Sequence, residues 1–317
     1  MRTLSPSTTA KLFATGATVG PIVDSLHNQC LLRYDVLPIC LEWPAAFQHK
    51  QNALVDFAMS GDMSSGISGH YPYLFCSSWA VPPLLGFAYV ILGGLLPRII
   101  ESVSVSLSTQ KLSQESSPSK ASTEASSSSS SPQQIRTRAI LAVTSTALII
   151  KLSEFLETHP DIFDNLNIAH GHPDGASLSL LVMIAAAALQ WVILDGSVTA
   201  LLVATVTAIG GPLTELPFVG HGVWTYLEGA ADYFPLQSIL PNAITPTTVD
   251  SINLLLQLPQ IVFGTSNYRD LALSSITGPC YFAVAMDAIA LGRWFDTPPL
   301  SSSPISSSSA LPKDSKR

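Results

Sequence analysis

The first half of the chain contains a serine motif and a nearby histidine that could belong to a hydrolase site. The sequence GISGH at 66–70 has the GxSG pattern of rhomboid-type intramembrane serine proteases. A serine nucleophile needs a base within hydrogen-bond reach and an organised oxyanion site. Ser68 lies in a polar segment ahead of an apolar run, and the nearby histidine, His70, is two residues away. We therefore predict a loop here, without catalysis.

A second set of side chains has residue types that bind metal ions. His170, His172 and Asp174 are close together in the sequence. Zinc usually needs three or four ligands in a fixed geometry, whereas the intervening Gly171 and Pro173 indicate a flexible turn. We predict a solvated loop and no metal.

Three aspartates lie in or beside apolar runs, where an aspartyl protease would place its catalytic pair. Such an enzyme needs two facing carboxylates, and neither Asp24, Asp195 nor Asp287 has the YD or GxGD context of intramembrane proteases. We therefore expect neither an enzyme nor a cofactor.

Ionisable residues inside apolar runs still need an account, because a charge in a bilayer is costly and marks a functional site by default. Asp24 and His27 are three residues apart, hence on one helical face, and could pair with each other or with Lys151. These residues could form a structural polar cluster that fixes helix packing, or they could form a functional site. Asp195 lies at a tight turn between two apolar runs, where it could cap a helix or contact a partner.

The composition excludes an ordinary soluble protein. Only 12% of the 317 residues are charged, against about 25% in soluble domains. A spanning helix needs about 20 mostly apolar residues, and six stretches approach that length. We predict an all-α, polytopic membrane protein with a bundle of six transmembrane helices and no nucleic-acid partner. The predicted helices cover 12–32, 74–97, 137–156, 177–194, 198–219 and 271–294.

The charge distribution orients this bundle. Residues 152–268 contain ten acids and no Lys or Arg, so the net charge of −7 divides into −10 there and +3 elsewhere. Basic residues collect on the cytoplasmic side of membrane proteins. Six spans with a cytosolic N-terminus place eleven basic residues on that side and three on the other. We predict cytosolic termini, and a first helix retained as an anchor because no secretory signal is evident.

The chain divides into four parts. Residues 1–100 hold the first two helices, and the Ser-rich stretch 101–136 is predicted to be a disordered cytosolic linker. Residues 137–295 hold four helices and a long lumenal loop at 220–268, within which the short apolar stretch 252–263 favours an interfacial or re-entrant segment. Residues 296–317 are predicted to be a disordered tail. The four cysteines lack CxxC spacing, so we expect no zinc site or redox pair. We expect no disulfide framework either, because Cys76 and Cys280 lie inside apolar stretches.

A proline pair interrupts the second apolar stretch. Broken helices in membrane proteins often border cavities. We therefore predict an apolar pocket for a lipid or sterol around Ser78, Trp79, Pro82 and Pro83. A simple packing kink is the alternative.

The stretch FCSSWAVPPLLGFAYVILGGLLPRI at 75–99 resembles the second-span signature of the INSIG (insulin-induced gene) family, in which a Ser-Ser pair, Trp, Val-Pro-Pro, Gly and Leu-x-Pro recur in that order. Three shorter stretches are similar to later parts of that pattern, and together they cover most of 10–100 and 137–294. They are KLSEF at 151–155, QWVILDGS at 190–197 and GPCYFAVAMDAIALGR at 278–293.

This resemblance implies a non-enzymatic membrane protein of the endoplasmic reticulum with six helices and cytosolic termini. Members of the family bind sterols within the bundle, retain the SREBP escort protein SCAP, and bring HMG-CoA reductase to ubiquitin ligases. It therefore implies a sterol or oxysterol ligand and SCAP-like and reductase partners. Asp195 matches the family's cytosolic-turn aspartate, which contacts those partners, and Trp191 lies one helical turn earlier on the same face.

The sequence also departs from the family pattern. The linker is longer, the 220–268 region carries an insertion, and Asp287 stands where the family has small or apolar residues. Bacterial relatives that bind diacylglycerol make a diacylglycerol-like ligand one alternative. A small-solute transporter is another, and would require an internal repeat and a path of paired ionisable residues, which the sequence does not provide.

Overall fold

The fold is a bundle of long helices with two small sheets at one end. The computed structural model describes residues 3–42, 44, 73–114, 131–163, 175–227, 230–235, 262–264 and 271–297. Within these ranges there are six long helical segments. They are α1 (Pro6–Leu31), α2 (81–114), α3 (Pro132–Thr158), α4 (Gly175–Leu194), α5 (Val198–Gly220) and α6 (Thr277–Phe295). A short 3-10 helix, Pro160–Phe163, follows α3.

Among the described residues, four helices are long and apolar enough to cross a membrane. They are α2 over Val81–Ser106, α3, α4 over Ala176–Leu194, and α5, with mean hydropathies of 1.4 to 2.2. Large apolar side chains point outward from them, such as Leu148 and Ile209, which are 65% and 64% exposed. The prediction of a helical, membrane-type architecture is confirmed at this level.

The second helix begins later than the sequence predicted. Residues Tyr73–Ser78 form strand β3, and α2 starts at Val81 with Pro82 and Pro83 in its first turn. Proline is favoured there because its missing N–H has no helical acceptor to lose. The proline pair therefore starts the helix and does not break it. The irregular part of α2 is the π-helical turn Ile91–Leu95, between Val81–Val90 and Leu96–Gln114.

The predicted disordered linker is wrong at both of its ends. Helix α2 continues to Gln114, and α3 begins at Pro132, before the predicted boundary at 136. A capping box fixes the start of α3: Ser131 and Gln134 each accept a hydrogen bond from the other's backbone N–H. Residues 115–130, the tail after 297 and most of 252–263 lie outside the described residues.

Two antiparallel sheets lie at the end of the bundle where α1 and α5 end and α2 and α6 begin, here called the strand end. Strand β1 (Leu32–Tyr34) pairs with β4 (Trp224–Tyr226), and β2 (Pro38–Glu42) pairs with β3. Cys40 and Cys76 face each other across the second pair and form a disulfide. The expectation of no disulfide is wrong because Cys76 lies in a strand outside the apolar helix.

Helix α6 is the centre of the bundle and contacts the other five long helices described. Its crossing with α2 is very close: a Cβ on Gly93 would meet the carbonyl oxygen of Ala288, and a Cβ on Gly292 would meet that of Gly93. Small residues allow such backbone approach between membrane helices. This crossing holds the middle of α2 against α6 and leaves room nearer the strand end.

Candidate functional site

A cavity of about 250 Å³ lies at the strand end, between α1, the first part of α2, α5 and α6. Its walls are mostly apolar, with side chains such as Val23, Leu85 and Val284, and the β1/β4 sheet closes one end. Leu84 lines the cavity and is also 39% exposed, so the wall reaches the outer surface of the bundle. Ligand pockets usually measure about 300–1,000 Å³, so this cavity is slightly smaller than a usual pocket.

One carboxylate of the cavity belongs to α1. Asp24 accepts a 2.8 Å hydrogen bond at Oδ2 from the hydroxyl of Tyr34, in β1. The Tyr34 oxygen in turn accepts a 2.8 Å bond from Nδ2 of Asn28, one helical turn after Asp24. All three side chains line the cavity. The sheet thus supplies a hydrogen-bond donor to the half-buried α1 carboxylate.

A second carboxylate, Glu215 of α5, faces the same cavity and is 9% exposed. Its Oε2 accepts from the hydroxyl of Tyr226 in β4, and its Oε1 from that of Tyr281 in α6, both at 2.7 Å. Burial raises the pKa of Tyr226 well above its usual value, so this phenol keeps its proton and remains a donor. The polar end of the cavity is therefore built by three helices and both strands of one sheet.

The residues predicted to line a lipid pocket do not line this cavity. Trp79 is 65% exposed, Pro83 is exposed, and the buried Ser78 donates a 3.0 Å hydrogen bond to the Val36 carbonyl. They lie away from it because α2 begins at Val81, which turns a different face of the helix toward the cavity. The lining side chains of α2 follow helical spacing and are Val81, Leu84, Leu85, Ala88 and Tyr89.

The predicted polar cluster of Asp24, His27 and Lys151 is only partly described. Asp24 does take part in a polar group, which is partly buried, but with Tyr34, which follows the helix. Lys151 forms an ion pair with Glu154, one turn later in α3. The side chain of His27 lies outside the described residues.

The second candidate site is the turn between α4 and α5, at the opposite end of the bundle, here called the Asp195 end. The Asp195 side chain is 9% exposed; its Oδ2 lies 2.8 Å from Nη1 of Arg293 on α6 and accepts a 2.9 Å hydrogen bond from Ser197. Ser197, whose hydroxyl accepts from the Ala200 N–H, caps α5. The interpretation of Asp195 as the helix cap is therefore wrong; it supports the capping residue and joins the turn to α6.

Trp191 belongs to the same turn. Its Nε1 donates a 2.9 Å hydrogen bond to the Ser197 carbonyl oxygen, which fixes the indole across the turn. The neighbouring Val192 and Ile193 are each 62% exposed. A cavity of about 290 Å³ lies beside the turn; its wall is mostly apolar but includes the charged side chains of Asp195, Arg293 and Arg138. The turn is thus internally bonded and flanked by an apolar outer face.

The other candidates from the sequence lie outside the description. Ser68, His70, His170, His172 and Asp174 are not among the described residues. Within the described ranges, no group of three or more His, Cys, Asp or Glu side chains could hold a metal ion.

The chain matches no protein-family model, no curated protein and no solved structure.

Proposed function

We propose that this protein is a non-enzymatic, sterol-responsive regulator of the INSIG type in the endoplasmic reticulum membrane. It binds a sterol or oxysterol within the bundle and retains or targets sterol-sensing-domain proteins, such as a SCAP-like escort or HMG-CoA reductase. The observation that carries the proposal is a mostly apolar cavity with a polar end, inside a bundle of membrane-type helices. An amphiphile with a large apolar body and one polar group has this pattern.

The proposed topology has six spans, with both termini in the cytosol and the strand end in the lumen. Helices α1 and α6, of 26 and 19 residues, have the length to cross a bilayer beside the four more apolar helices. The Cys40–Cys76 disulfide at the strand end fits an oxidising lumen. Arg98, Arg138 and Arg293 lie toward the Asp195 end, which fits the cytosol.

Regulation follows from how the cavity is built. A ligand shifts an equilibrium between two arrangements only by its difference in affinity for them. Because five helices line the cavity, a bound sterol favours the arrangement in which they enclose it. The outer faces of the helices then form the surface for a partner's transmembrane helices, and the exposed Val192 and Ile193 place part of that surface beside the Asp195 turn.

The cavity volume also favours a second candidate ligand. At about 250 Å³ the cavity is below the usual range for a whole drug-sized ligand, and a single acyl chain is thinner than a sterol ring system. A diacylglycerol-like lipid is therefore the alternative, with the same non-enzymatic role.

The experiment is sterol-dependent co-purification of the full-length chain with a sterol-sensing-domain protein. We expect the complex to form with sterol and to be lost in Asp195→Ala while that variant still accumulates in the membrane. Glu42→Ala, at an exposed strand position of the opposite end, is the control and keeps the complex. Equal complex with and without sterol would refute the regulatory role. Lipid analysis of the purified protein separates the ligands, because diacylglycerol in place of sterol would support the alternative.

A further inference from the structure

One buried donor at the polar end of the cavity has no partner. The Trp224 side chain is 7% exposed and lines the cavity, and its Nε1 makes no hydrogen bond with the described residues. The indole is held flat against Phe218, with ring centroids 4.8 Å apart and planes 7° apart, and edge-on to Tyr34 at 6.4 Å. A buried donor without an acceptor is costly, so a fixed indole N–H beside a cavity indicates an absent acceptor.

The Glu215 carboxylate beside this indole can accept more hydrogen bonds than it does. The Trp224 N–H lies near enough to Glu215 to act on its charge, but its distance and angle are not those of a hydrogen bond. Each Glu215 oxygen accepts one phenol hydrogen bond. A carboxylate oxygen has two lone pairs, so each retains capacity for one further donor. The cavity end thus presents an unused donor beside an acceptor with unused capacity.

Few polar groups satisfy both requirements. A hydroxyl has one O–H donor and two acceptor lone pairs, whereas an ammonium cannot accept and a ketone or ether cannot donate. We infer that the end of the cavity at Trp224 and Glu215 is a docking site for the hydroxyl group of a lipid alcohol. The hydroxyl oxygen accepts from Trp224 Nε1, and its proton is donated to a Glu215 oxygen. This inference depends on the proposed lipid-binding function and names the headgroup that the site selects.

The rest of the ligand has an apolar path. From this end the cavity runs along the α2 face that includes Leu85 and reaches the partly exposed Leu84. A sterol and a diacylglycerol each have one hydroxyl at the end of an apolar body. The shared chemistry is therefore the free hydroxyl, and the experiment separates the two sources.

The test compares alcohols with ethers of the same shape on the full-length protein in nanodiscs. The competitors are cholesterol and its methyl ether, and dioleoylglycerol and its methyl ether. We expect the alcohol of at least one pair to bind about tenfold or more tightly than its ether, because the ether leaves the carboxylate capacity unused. The pair that shows the difference identifies the source.

Variants locate the effect. Trp224→Phe preserves the stacked ring and removes the donor, so we expect weaker binding of alcohol and ether alike. Glu215→Gln is expected to reduce the ratio of the alcohol's binding affinity to that of the ether. Trp79→Phe, at an exposed indole outside the cavity, is the matched control and leaves the binding affinities of alcohol and ether unchanged. Equal binding of alcohol and ether to the unaltered protein overturns the inference but leaves lipid binding intact. Failure of all four compounds to bind overturns both, and neither result requires a variant to fold.

Discussion

The ion pair between Asp195 and Arg293 gives the sharpest prediction about the Asp195 end. The structure uses the Asp195 carboxylate internally, to hold the α4–α5 turn against the end of α6. We expect Asp195→Asn to destabilise the bundle by itself, before any partner is considered. Loss of partner binding in a variant of Asp195 then has two explanations, and the ion pair provides a way to separate them.

The magnitude follows from the exposure of the two groups. The Asp195 side chain is 9% exposed but that of Arg293 is 43% exposed, so solvent screening limits the pair to about 1 kcal/mol or less. The Ser197 hydroxyl also loses a charged acceptor, which contributes about 1–2 kcal/mol. Asp195→Asn should therefore lower the free energy of unfolding by about 1–3 kcal/mol. Glu42→Gln, an exposed acid at the strand end, is the control and should stay within about 0.5 kcal/mol of the parent.

The assay is a double-mutant cycle with Asp195→Asn and Arg293→Gln, measured by denaturant titration in detergent micelles. We expect a coupling energy of about 0.5–1 kcal/mol. The exchange Asp195→Arg with Arg293→Asp restores the attraction with reversed polarity. Partner binding restored by the exchange would mean that Asp195 acts through the turn; restored stability without binding would mean that its carboxylate touches the partner. An unchanged free energy of unfolding in Asp195→Asn would refute the reasoning.

Three further perturbations test the packing. Gly93→Ala places a Cβ against backbone of α6 and should destabilise the bundle by about 1–3 kcal/mol, whereas Gly210→Ala, with nothing within 4 Å of the added Cβ, should be neutral or stabilising in the same thermal-melting assay. Cys40→Ser should lower the free energy of unfolding by about 3–4 kcal/mol, because a disulfide that closes a loop of 36 residues restricts the unfolded chain. Alkylation of Cys40 and Cys76 without prior reduction would contradict the disulfide. Ser197→Ala should lower the free energy of unfolding by about 1 kcal/mol or more because the helix loses its cap, whereas Ser197→Thr should keep most of that stability. Equal melting temperatures for the two variants would contradict the role of Ser197 as the cap.

The helices were predictable from the sequence because an apolar run of spanning length has few alternatives. The predicted runs 177–194 and 198–219 nearly coincide with α4 and α5. Around residue 80 the predicted start of the helix is wrong, because a strand and a helix are both apolar there and form one continuous run. Pro82 and Pro83 could then either break a longer helix or form the first turn of a shorter one, and hydropathy does not distinguish these alternatives.

The polar end of the cavity was not predictable in the same way. Asp24 was identified because a carboxylate in an apolar run is conspicuous. Its partner Tyr34, and the Trp224 and Tyr226 of the paired strand, are ordinary aromatic residues of short strands. Their meeting depends on the pairing of β1 with β4, about 190 residues apart in the chain. No local sequence pattern predicts that pairing. The disulfide between Cys40 and Cys76 also depends on the pairing of two distant strands, so it was not predicted either.

Photo-crosslinking tests whether a sterol occupies the cavity. The full-length protein in native membranes is exposed to a photoreactive sterol, with and without excess cholesterol, and the labelled peptides are identified by mass spectrometry. We expect labelling of Val81–Val90 and of the α5 segment around Glu215, and we expect excess cholesterol to suppress it. Labelling confined to the outer faces of α3 and α4, or insensitive to cholesterol, would contradict it.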